Sequence, residues 1–374
     1  EVRAIAAKWD VRAAVIGEVT GSGRLRVLDR LGGEVLGDVP AKSLEDDAPK
    51  YRRPLAPHAD IDERRAATAA ALPVPVDAGA DLIDLLHDTS WVWRQYDHQL
   101  YLNTVEGPGG DATVLRLKHP TTGVDPGRAL ALTSDGNHRW CAVDPRQGAA
   151  ATVVESVMNL ATVGAVPVAL VNCLNFGNPE HPEVMWQLSE AIDGISDACR
   201  AFGIPVVGGN VSLYNESRGA DIDPTPIVAV LGLIEELSVR PPGVTLTEGG
   251  RVLMLGRTDP ELSGSVWARR QGHTTGVLPD VDFSAANAAA GVVRELVQAE
   301  MVTGVHDVST GGVGLALAEM AVRSGVGWRV ARIADHAALF SESVGRVVVC
   351  VDAHRSREVL DLCALHGVEV TQLG

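Results

Sequence analysis

The chain has none of the short motifs that mark the common nucleotide, metal and nucleophile sites. It contains no GxxxxGK[ST], no GxGxxG after a strand pattern, no GxSxG and no HExxH. These absences exclude a P-loop, a Rossmann dinucleotide site, a hydrolase elbow and a zinc peptidase helix. The five cysteines form no CxxC pair, so we expect neither zinc nor a disulfide framework and predict a reducing, cytoplasmic environment. If the protein handles a nucleotide, it uses a less common cradle.

Long apolar runs and basic clusters are also missing. The longest apolar runs, such as residues 165–171 and 347–351, have the length of strands rather than of a membrane span. No secretory leader opens the chain, and the net charge is −16 without a Lys/Arg cluster. We therefore expect neither nucleic acid nor a membrane as a partner. An anionic substrate would be met locally, by backbone amides, helix N-termini or a metal ion.

The order of the apolar patterns predicts an α/β protein. A helix is predicted from Asp144, an N-cap followed by Pro145, to about residue 163. A boundary is predicted at Pro241-Pro242-Gly243. The other predicted elements are a helix at 2–8, a hairpin of 15–19 with 24–28, strands at 166–171, 204–207, 251–255 and 346–351, and helices at 183–202, 285–300, 315–324 and 355–365.

The two ends of the chain resemble each other. Residues 1–17 and 358–374 align without a gap, with Glu, Val, Ala, Val and Gly identical. The matches are either chance or the trace of a duplication. If they are a duplication, the first copy continues into a hairpin while the second stops at Gly374. Because the chain also begins at Glu1, in a helical pattern and without Met, we then expect a cut inside a domain at each end.

Polar residues follow two successive predicted strands. Residues 172–180 read NCLNFGNPE and residues 208–216 read GGNVSLYNE. Carboxyl ends of strands are where α/β proteins place ligands, and paired glycines allow a phosphate to approach backbone amides. Turns whose Asn side chains satisfy the local backbone would explain each segment singly. They would not explain why two successive strands both end in Asn-rich loops.

Two further segments could carry chemistry. Residues 306–314, HDVSTGGVG, stand between a strand and a helix and offer an Asp with helix N-terminal amides, which suits a metal–phosphate site. A capping residue with closely packed glycines is the alternative. Residues 341–343, SES, precede the last strand, and a solvated loop is the alternative there. Residues 96–99 and 135–137 carry weaker signals, since each is consistent with an ordinary turn.

Together these strings resemble one family, the small-type synthetase subunit of phosphoribosylformylglycinamidine synthase. The segments that carry the resemblance are 96–99, 134–149, 172–180, 208–216, 306–321 and 340–346. The family is a tandem duplication of the fold of aminoimidazole ribonucleotide synthetase, with PurM-like A and B domains of mixed α/β sheets. The resemblance implies that residues 1–55 are the tail of domain B1, 56–84 a linker, 85–238 domain A2 and 243–374 an incomplete domain B2.

The resemblance also implies a ligase activity. The family uses ATP and Mg²⁺ to convert formylglycinamide ribonucleotide to the amidine in purine biosynthesis, with ammonia from a glutaminase subunit joined through a small bridging subunit. By resemblance, Asn172 lies where the family contacts ATP, usually with Asp. Gly209 matches an ATP-contacting glycine, Asn210 a Mg²⁺ ligand and Ser212 a substrate contact. The family's catalytic histidines lie in the first half, so no catalytic residue is assigned in this chain.

Three further expectations follow. Asp307 and Glu342 resemble duplicated counterparts of functional first-half residues and are expected near a second, non-catalytic nucleotide site. Asn210 and Ser212 are expected to face the seam with the absent A1 domain. The chain alone is expected to be catalytically silent and to form a homodimer through A2. The alternatives are a scaffold half that binds nucleotide structurally, and a stand-alone synthetase or kinase of the same fold, which the B-type tail argues against.

Overall fold

The chain folds into two units, Glu1–Arg53 and Pro54–Gly374. The computed structural model describes the whole chain, residues 1–374, apart from the side chain of residue 100. Among the described helices, none is long and apolar enough to cross a membrane.

The first unit contains one helix and one two-stranded sheet. Its elements are α1 Val2–Lys8, β1 Arg24–Leu28, β2 Val35–Pro40 and a 3₁₀ turn at Ala41–Leu44. The helix predicted at 2–8 is confirmed. The predicted hairpin is wrong in its pairing, because β1 pairs antiparallel with β2 and residues 15–19 are not in a strand. The turn forms instead where the Asp29 carboxylate accepts a hydrogen bond from the Glu34 amide at 2.8 Å.

The second unit begins with three short helices, α2 Ile61–Ala66, α3 Ala78–Leu85 and α4 Ser90–Trp93. Residues 56–84, predicted as a linker, are not a free connection. The indole of Trp267 donates to the Asp81 carboxylate at 2.7 Å, and the Ala69 amide donates to the Ser263 hydroxyl at 3.3 Å. This segment therefore packs against the C-terminal part of the unit.

A six-stranded mixed sheet follows, in the order β3-β4-β5-β10-β6-β7. The strands between residues 104 and 234 are β3 Thr104–Glu106, β4 Thr113–Arg116, β5 Ala129–Gly136, β6 Val166–Asn175, β7 Val206–Ser212, β8 Glu216–Ser217, β9 Ala220–Asp221 and β10 Thr225–Ile234. Only β6 and β7 run parallel, whereas the other neighbouring pairs are antiparallel. Helices α5 His138–Val143, α6 Pro145–Thr162 and α7 Pro182–Phe202 share a core with one face of this sheet.

The predicted start of α6 is confirmed. The Asp144 carboxylate accepts hydrogen bonds from the amides of Arg146 and Gln147 at 3.0 and 2.9 Å, and Pro145 occupies the first turn. Nearly the whole helix is buried. It therefore forms the centre of the core.

The C-terminal part is a four-stranded antiparallel sheet in the order β12-β13-β11-β14. Its elements are β11 Arg251–Leu255, α8 Val266–Arg270, α9 Phe283–Gln298, β12 Gly304–Asp307, α10 Gly312–Ser324, α11 His336–Phe340, β13 Val347–Val351, α12 Ser356–Leu365 and β14 Val370–Gln372. All residues of β13 are buried, because α9 and α12 share a core with one face of this sheet and α10 with the other. The predicted fold class, PurM-like α/β domains with mixed sheets, is confirmed.

The two copies of the terminal repeat differ in structure. In the second copy the segment at 370–372 is a strand because it pairs with β11. The first copy aligns residues 13–15 with that strand, but the described part of residues 1–53 offers no partner equivalent to β11. A strand without a hydrogen-bonded neighbour is not stable in water, so only the helix of the repeat forms.

Candidate functional site

The four residues singled out at the strand ends lie inside strands. Asn172 belongs to β6, and Gly209, Asn210 and Ser212 belong to β7. The predicted loops at 172–175 and 208–212 are therefore wrong. The parallel register pairs Asn172 with Gly209 and Cys173 with Asn210. Ladder hydrogen bonds, rather than turns, satisfy this part of the backbone.

The pleat of the strands divides the four residues between two faces. Asn172 and Gly209 lie on the face that α6 and α7 cover, in line with buried Val228 of β10. A Cβ at Gly209 would stand 2.1 Å from Oδ1 of Asn172. Gly209 is therefore needed for space, so that the Asn172 amide can lie across the neighbouring strand.

Asn210 and Ser212 lie on the opposite, outer face. The Asn210 amide donates a weak hydrogen bond to Sγ of Cys173 at 3.9 Å, and the Ser212 hydroxyl lies 3.2 Å from Oδ1 of Asn215. The rest of this face is apolar and exposed, including Leu132, Val171 and Ile227. The outer face therefore combines polar groups with an apolar patch.

Three of the other asparagines in these segments serve the local backbone. Asn175 donates to the carbonyls of Cys173 and Thr225, both at 3.1 Å. Asn178 accepts from the Glu180 amide at 2.9 Å, and Asn215 donates to the carbonyl of Phe176 at 2.9 Å. The turn interpretation thus holds for these three, whereas the described residues offer the Asn172 amide no hydrogen-bond partner.

A second cluster lies where the two sheets share their core, and it contains Asp307. Nδ1 of His306 lies 2.7 Å from Asp111, and its Nε2 lies 2.9 Å from Glu319. The other carboxylate oxygen of Asp111 accepts from the Asp307 amide at 3.1 Å. Ligand atoms of Asp111, His306 and Asp307 lie within 4.8 Å of one another. Both ring nitrogens of His306 are engaged with carboxylates, so the carboxylates of this group, and not the imidazole, are available to a cation.

Helix α6 and strand β5 add further oxygen atoms to this cluster. Asp135 accepts from Ser156 at 2.5 Å, from Thr133 at 2.7 Å and from Nδ2 of Asn159 at 2.9 Å. Glu155 lies on the same helix and approaches Ser309. We call Asp111, Asp135, Glu155, Asn159 and Asp307 the acidic centre.

The electrostatics of the acidic centre are those of crowded, buried carboxylates. Burial, reinforced by the charge of Asp111, raises the pKa of Asp307 to about 7. Burial and the charges of Asp135 and Asp307 raise the pKa of Glu155 well above its usual value. Burial opposes the charge of His306, but Asp111 and Glu319 outweigh it and hold its pKa well above the ordinary value. One imidazolium does not balance these carboxylates, so a bound cation would relieve their repulsion.

One atom of the acidic centre has no partner. Asn159 is 5% exposed and its Oδ1 is buried without a hydrogen bond, which is rare and unfavourable for a polar atom. An amide oxygen beside carboxylates is the donor set that hard cations such as Mg²⁺ prefer. The residues present therefore fit a divalent cation.

Sequence reasoning missed Asp111, Asp135, Glu155 and Asn159 as members of one site. The sequence feature that could have revealed this site is a stripe of polar residues along an otherwise apolar helix. Thr152, Glu155, Ser156 and Asn159 recur at helical spacing within α6, where nearly every other residue is a core residue. Such a stripe on a central helix indicates a buried polar site.

The segment 341–343 is not a solvated loop. Ser341 and Glu342 are buried, and the Glu342 carboxylate accepts hydrogen bonds from three separate segments. Beside it lies a cavity of about 160 Å³, whose lining includes Trp140, Gln147, Leu278 and Glu342. The second nucleotide site expected near Asp307 and Glu342 stays a prediction.

The two α/β halves of this unit, one around each sheet, each match a family model. Residues 109–234 match the family model of the AIR synthase related protein, N-terminal domain, and residues 247–374 match the corresponding C-terminal domain. Together the two models span more than half of the chain. The chain belongs to the AIR synthase related family.

Within this family the chain is similar to phosphoribosylformylglycinamidine synthase subunit PurL. The PurL of Moorella thermoacetica is 41% identical over 382 residues, which cover 100% of this chain and 51% of that protein. The PurL of a Nocardioides species is 44% identical over 383 residues, with 99% and 50% covered. The chain thus spans about half the length of the curated relatives it matches.

Solved structures of Thermotoga maritima PurL have the same fold. The ATP complex matches with a TM-score of 0.60 and 21% identity, covering 94% of this chain and 48% of that chain. The complex with FGAR matches with a TM-score of 0.59 and 22% identity, covering 94% and 47%. A structure of PurLQS matches with a TM-score of 0.59 and 22% identity, covering 96% and 49%. At these identities the likeness establishes the fold alone.

Proposed function

We propose that the chain forms one side of the active site of phosphoribosylformylglycinamidine synthase. That enzyme converts formylglycinamide ribonucleotide to formylglycinamidine ribonucleotide with ATP and Mg²⁺. The observation that carries the proposal is similarity along the whole chain to half of PurL relatives at about 40% identity. The placement of Asn172, Gly209, Asn210 and Ser212 on two adjacent strands supports it.

The position of β7 at the edge of the sheet makes one shared site feasible. The four residues lie on two faces, but residues 206–211 of this edge strand are all exposed. A nucleotide held at the edge can therefore contact both sides of the strand. In this proposal Asn172 and the backbone at Gly209 contact ATP, Oδ1 of Asn210 binds Mg²⁺, and the hydroxyl of Ser212 contacts the ribonucleotide.

The proposed reaction needs positioning and charge neutralisation more than covalent help from the protein. The amide oxygen of the substrate takes the γ-phosphoryl group of ATP and ADP leaves. Ammonia then adds to the activated carbon, the C–O bond breaks and phosphate leaves, which gives the amidine. This chain contributes binding and orientation, and we assign no general base to it.

The proposed partners are those of the small-type enzyme. A glutaminase subunit would supply ammonia and a small bridging subunit would join it to the synthetase. We also propose a cytoplasmic location, which agrees with five free cysteines. Because the chain spans half of its relatives, we expect no ATP-dependent amidine formation from the chain alone.

The test is a pair of variants in the full-length parent protein. Asn210→Ala should raise the KM for Mg·ATP, because it removes a proposed metal ligand. Ser212→Ala should mainly raise the KM for the ribonucleotide with a smaller change in kcat. Steady-state assays with each substrate varied in turn check both, with Asn178→Ala as a matched control at a turn. Unchanged kinetics in both variants would contradict the site assignment. Amidine formation by the chain alone would contradict the expectation that it is inactive without the rest of the enzyme.

A second candidate function is binding of a metal–nucleotide at the acidic centre. The unpartnered Oδ1 of Asn159 among buried carboxylates favours it, and the neighbouring cavity lined by Trp140 and Glu342 could take a nucleoside. Asp135, Glu155, Asn159 and Asp307 would hold Mg²⁺, which would neutralise the carboxylates and anchor phosphate groups. In this role the chain is a scaffold that binds nucleotide without catalysing its turnover.

A further inference from the structure

The Glu342 carboxylate is surrounded by hydrogen-bond donors. Its Oε1 accepts from the backbone amides of Val266 at 2.7 Å and Gly311 at 2.9 Å. Its Oε2 accepts from the indole N–H of Trp140 at 3.0 Å and from the Arg139 guanidinium at 3.3 and 3.4 Å. The side chain of Glu342 is 2% exposed and that of Arg139 is 11% exposed. The pair is therefore buried and satisfied from several sides.

These donors come from three segments that are far apart in sequence. Arg139 and Trp140 lie in α5 beneath the first sheet, Val266 begins α8, and Gly311 immediately precedes α10. Backbone amides at helix starts, an indole N–H and a guanidinium are all donors without acceptor capacity. This donor set is typical of a site for a phosphate or carboxylate anion.

Further hydrogen bonds fix the loop that carries Glu342. Buried Arg346 donates to the carbonyls of Ser341 at 2.7 Å and Ser343 at 3.0 Å. The Ser343 hydroxyl donates to the carbonyl of Asp259 at 2.6 Å. Since both residues that flank Glu342 are anchored, its carboxylate stays among the donors.

We infer that Arg139, Trp140, Val266 and Gly311 form an oxyanion-binding cradle whose occupant is the chain's own Glu342 carboxylate. The oxygens of Glu342 are used by these donors, so Glu342 does not serve as a metal ligand here. The cradle also borders the cavity of about 160 Å³, because Trp140 and Glu342 line it. A small carboxylate or phosphate can thus reach the cradle when Glu342 has no side chain. The cradle does not depend on the proposed ligase activity.

The inference predicts chemical rescue in this chain. Glu342→Gly should lower the Tm, because it leaves buried donors and a buried guanidinium without their acceptor. Sodium formate or inorganic phosphate at millimolar concentration should then restore at least half of the lost Tm, relative to sodium chloride of equal ionic strength. The wild-type chain should show no such response. Thermal unfolding followed by circular dichroism measures the Tm of the variant, its recovery with each anion, and the response of the wild-type chain.

Glu106 supplies the matched control. Its nearly buried carboxylate is paired with one guanidinium, that of Arg240, at 3.0 Å. Glu106→Gly should therefore lower the Tm without rescue by formate or phosphate. A folded Glu342→Gly chain that neither anion stabilises, or equal rescue of both variants, would overturn the cradle.

A second variant covers the case in which Glu342→Gly does not fold. Glu342→Gln keeps the shape but turns an amide NH₂ toward donors, so its Tm should fall further than that of Glu106→Gln. Formate should not rescue it, since the cradle is still filled. A wild-type Tm for Glu342→Gln would contradict the inference.

Discussion

Single residues could be predicted from the sequence only where their signal is local. The Asp144 cap and the residues at 172 and 209–212 are visible as short strings. The acidic centre is not, because Asp111, Glu155 and Asp307 lie in three separate segments that meet only through tertiary packing. A buried Asn such as Asn159 reveals its role only when its unpartnered oxygen is known.

Removal of that oxygen tests the metal site. Asn159→Ala should weaken divalent-cation binding to this chain by roughly 10-fold or more, the range seen when groups around a metal are removed. Asn159→Asp, which keeps an oxygen and adds a charge, should retain binding. Calorimetric titration with Mn²⁺ measures both, and Asn287→Ala on the exposed side of α9 is the control. Equal affinity in Asn159→Ala and wild type, or no binding to wild type at millimolar Mn²⁺, would exclude the site.

At the scale of elements, prediction succeeded where the signal lies in adjacent residues. The starts of α6 and α7 depend on residues adjacent in sequence, an Asp or a Pro at the first turn. The extent of β6 and β7 depends on a partner strand, because polar Asn and Gly residues continue as strands once the ladder is available. The pairing of β1 likewise depends on which neighbour is present. Local propensity cannot supply this information.

The contact between α6 and α7 makes a prediction at this scale. A Cβ at Gly194 of α7 would stand 2.1 Å from the carbonyl oxygen of Arg146 at the start of α6. Gly194→Ala should therefore lower the free energy of unfolding by about 1–3 kcal/mol, the usual effect of overpacking. The control is Gly291→Ala in α9, where the nearest atom to a new Cβ is 3.9 Å away.

The control should be neutral or should stabilise the protein by up to about 1 kcal/mol, since alanine favours a helix. Urea unfolding of the two variants and wild type gives both values. Equal stability of Gly194→Ala and Gly291→Ala would contradict the prediction, because it would mean that α6 and α7 can move apart at this contact without a cost in stability.

At the scale of the whole second unit, one hydrophobic core joins the two sheets. Its residues come from β5, β6, β10, α6 and α7 on one side and from β11, β13, α9 and α12 on the other. The outer face of the first sheet takes no part in this core. Leu132 is 47% exposed and Val171 is 42% exposed, and contiguous apolar surface of this kind marks an interaction site. From the sequence, only the family resemblance predicted this exposed face. The alternation of inward and outward residues did not reveal it, because a register shift opposite Gly232 interrupts that alternation within β6.

The exposed outer face predicts self-association of the isolated chain. A second copy offers the same apolar face and the same open edge at β7, so a two-fold interface would bury both, with an area above roughly 1,000 Å² if it is specific. Light scattering should therefore show a dimer at micromolar concentration. Val171→Lys should shift the equilibrium to monomer, because it places a charge in the middle of this face. Val322→Lys, at an exposed site on α10 outside the first sheet, should leave the dimer intact. A monomeric wild-type chain at micromolar concentration, or a dimer that Val171→Lys does not weaken, would refute this interface.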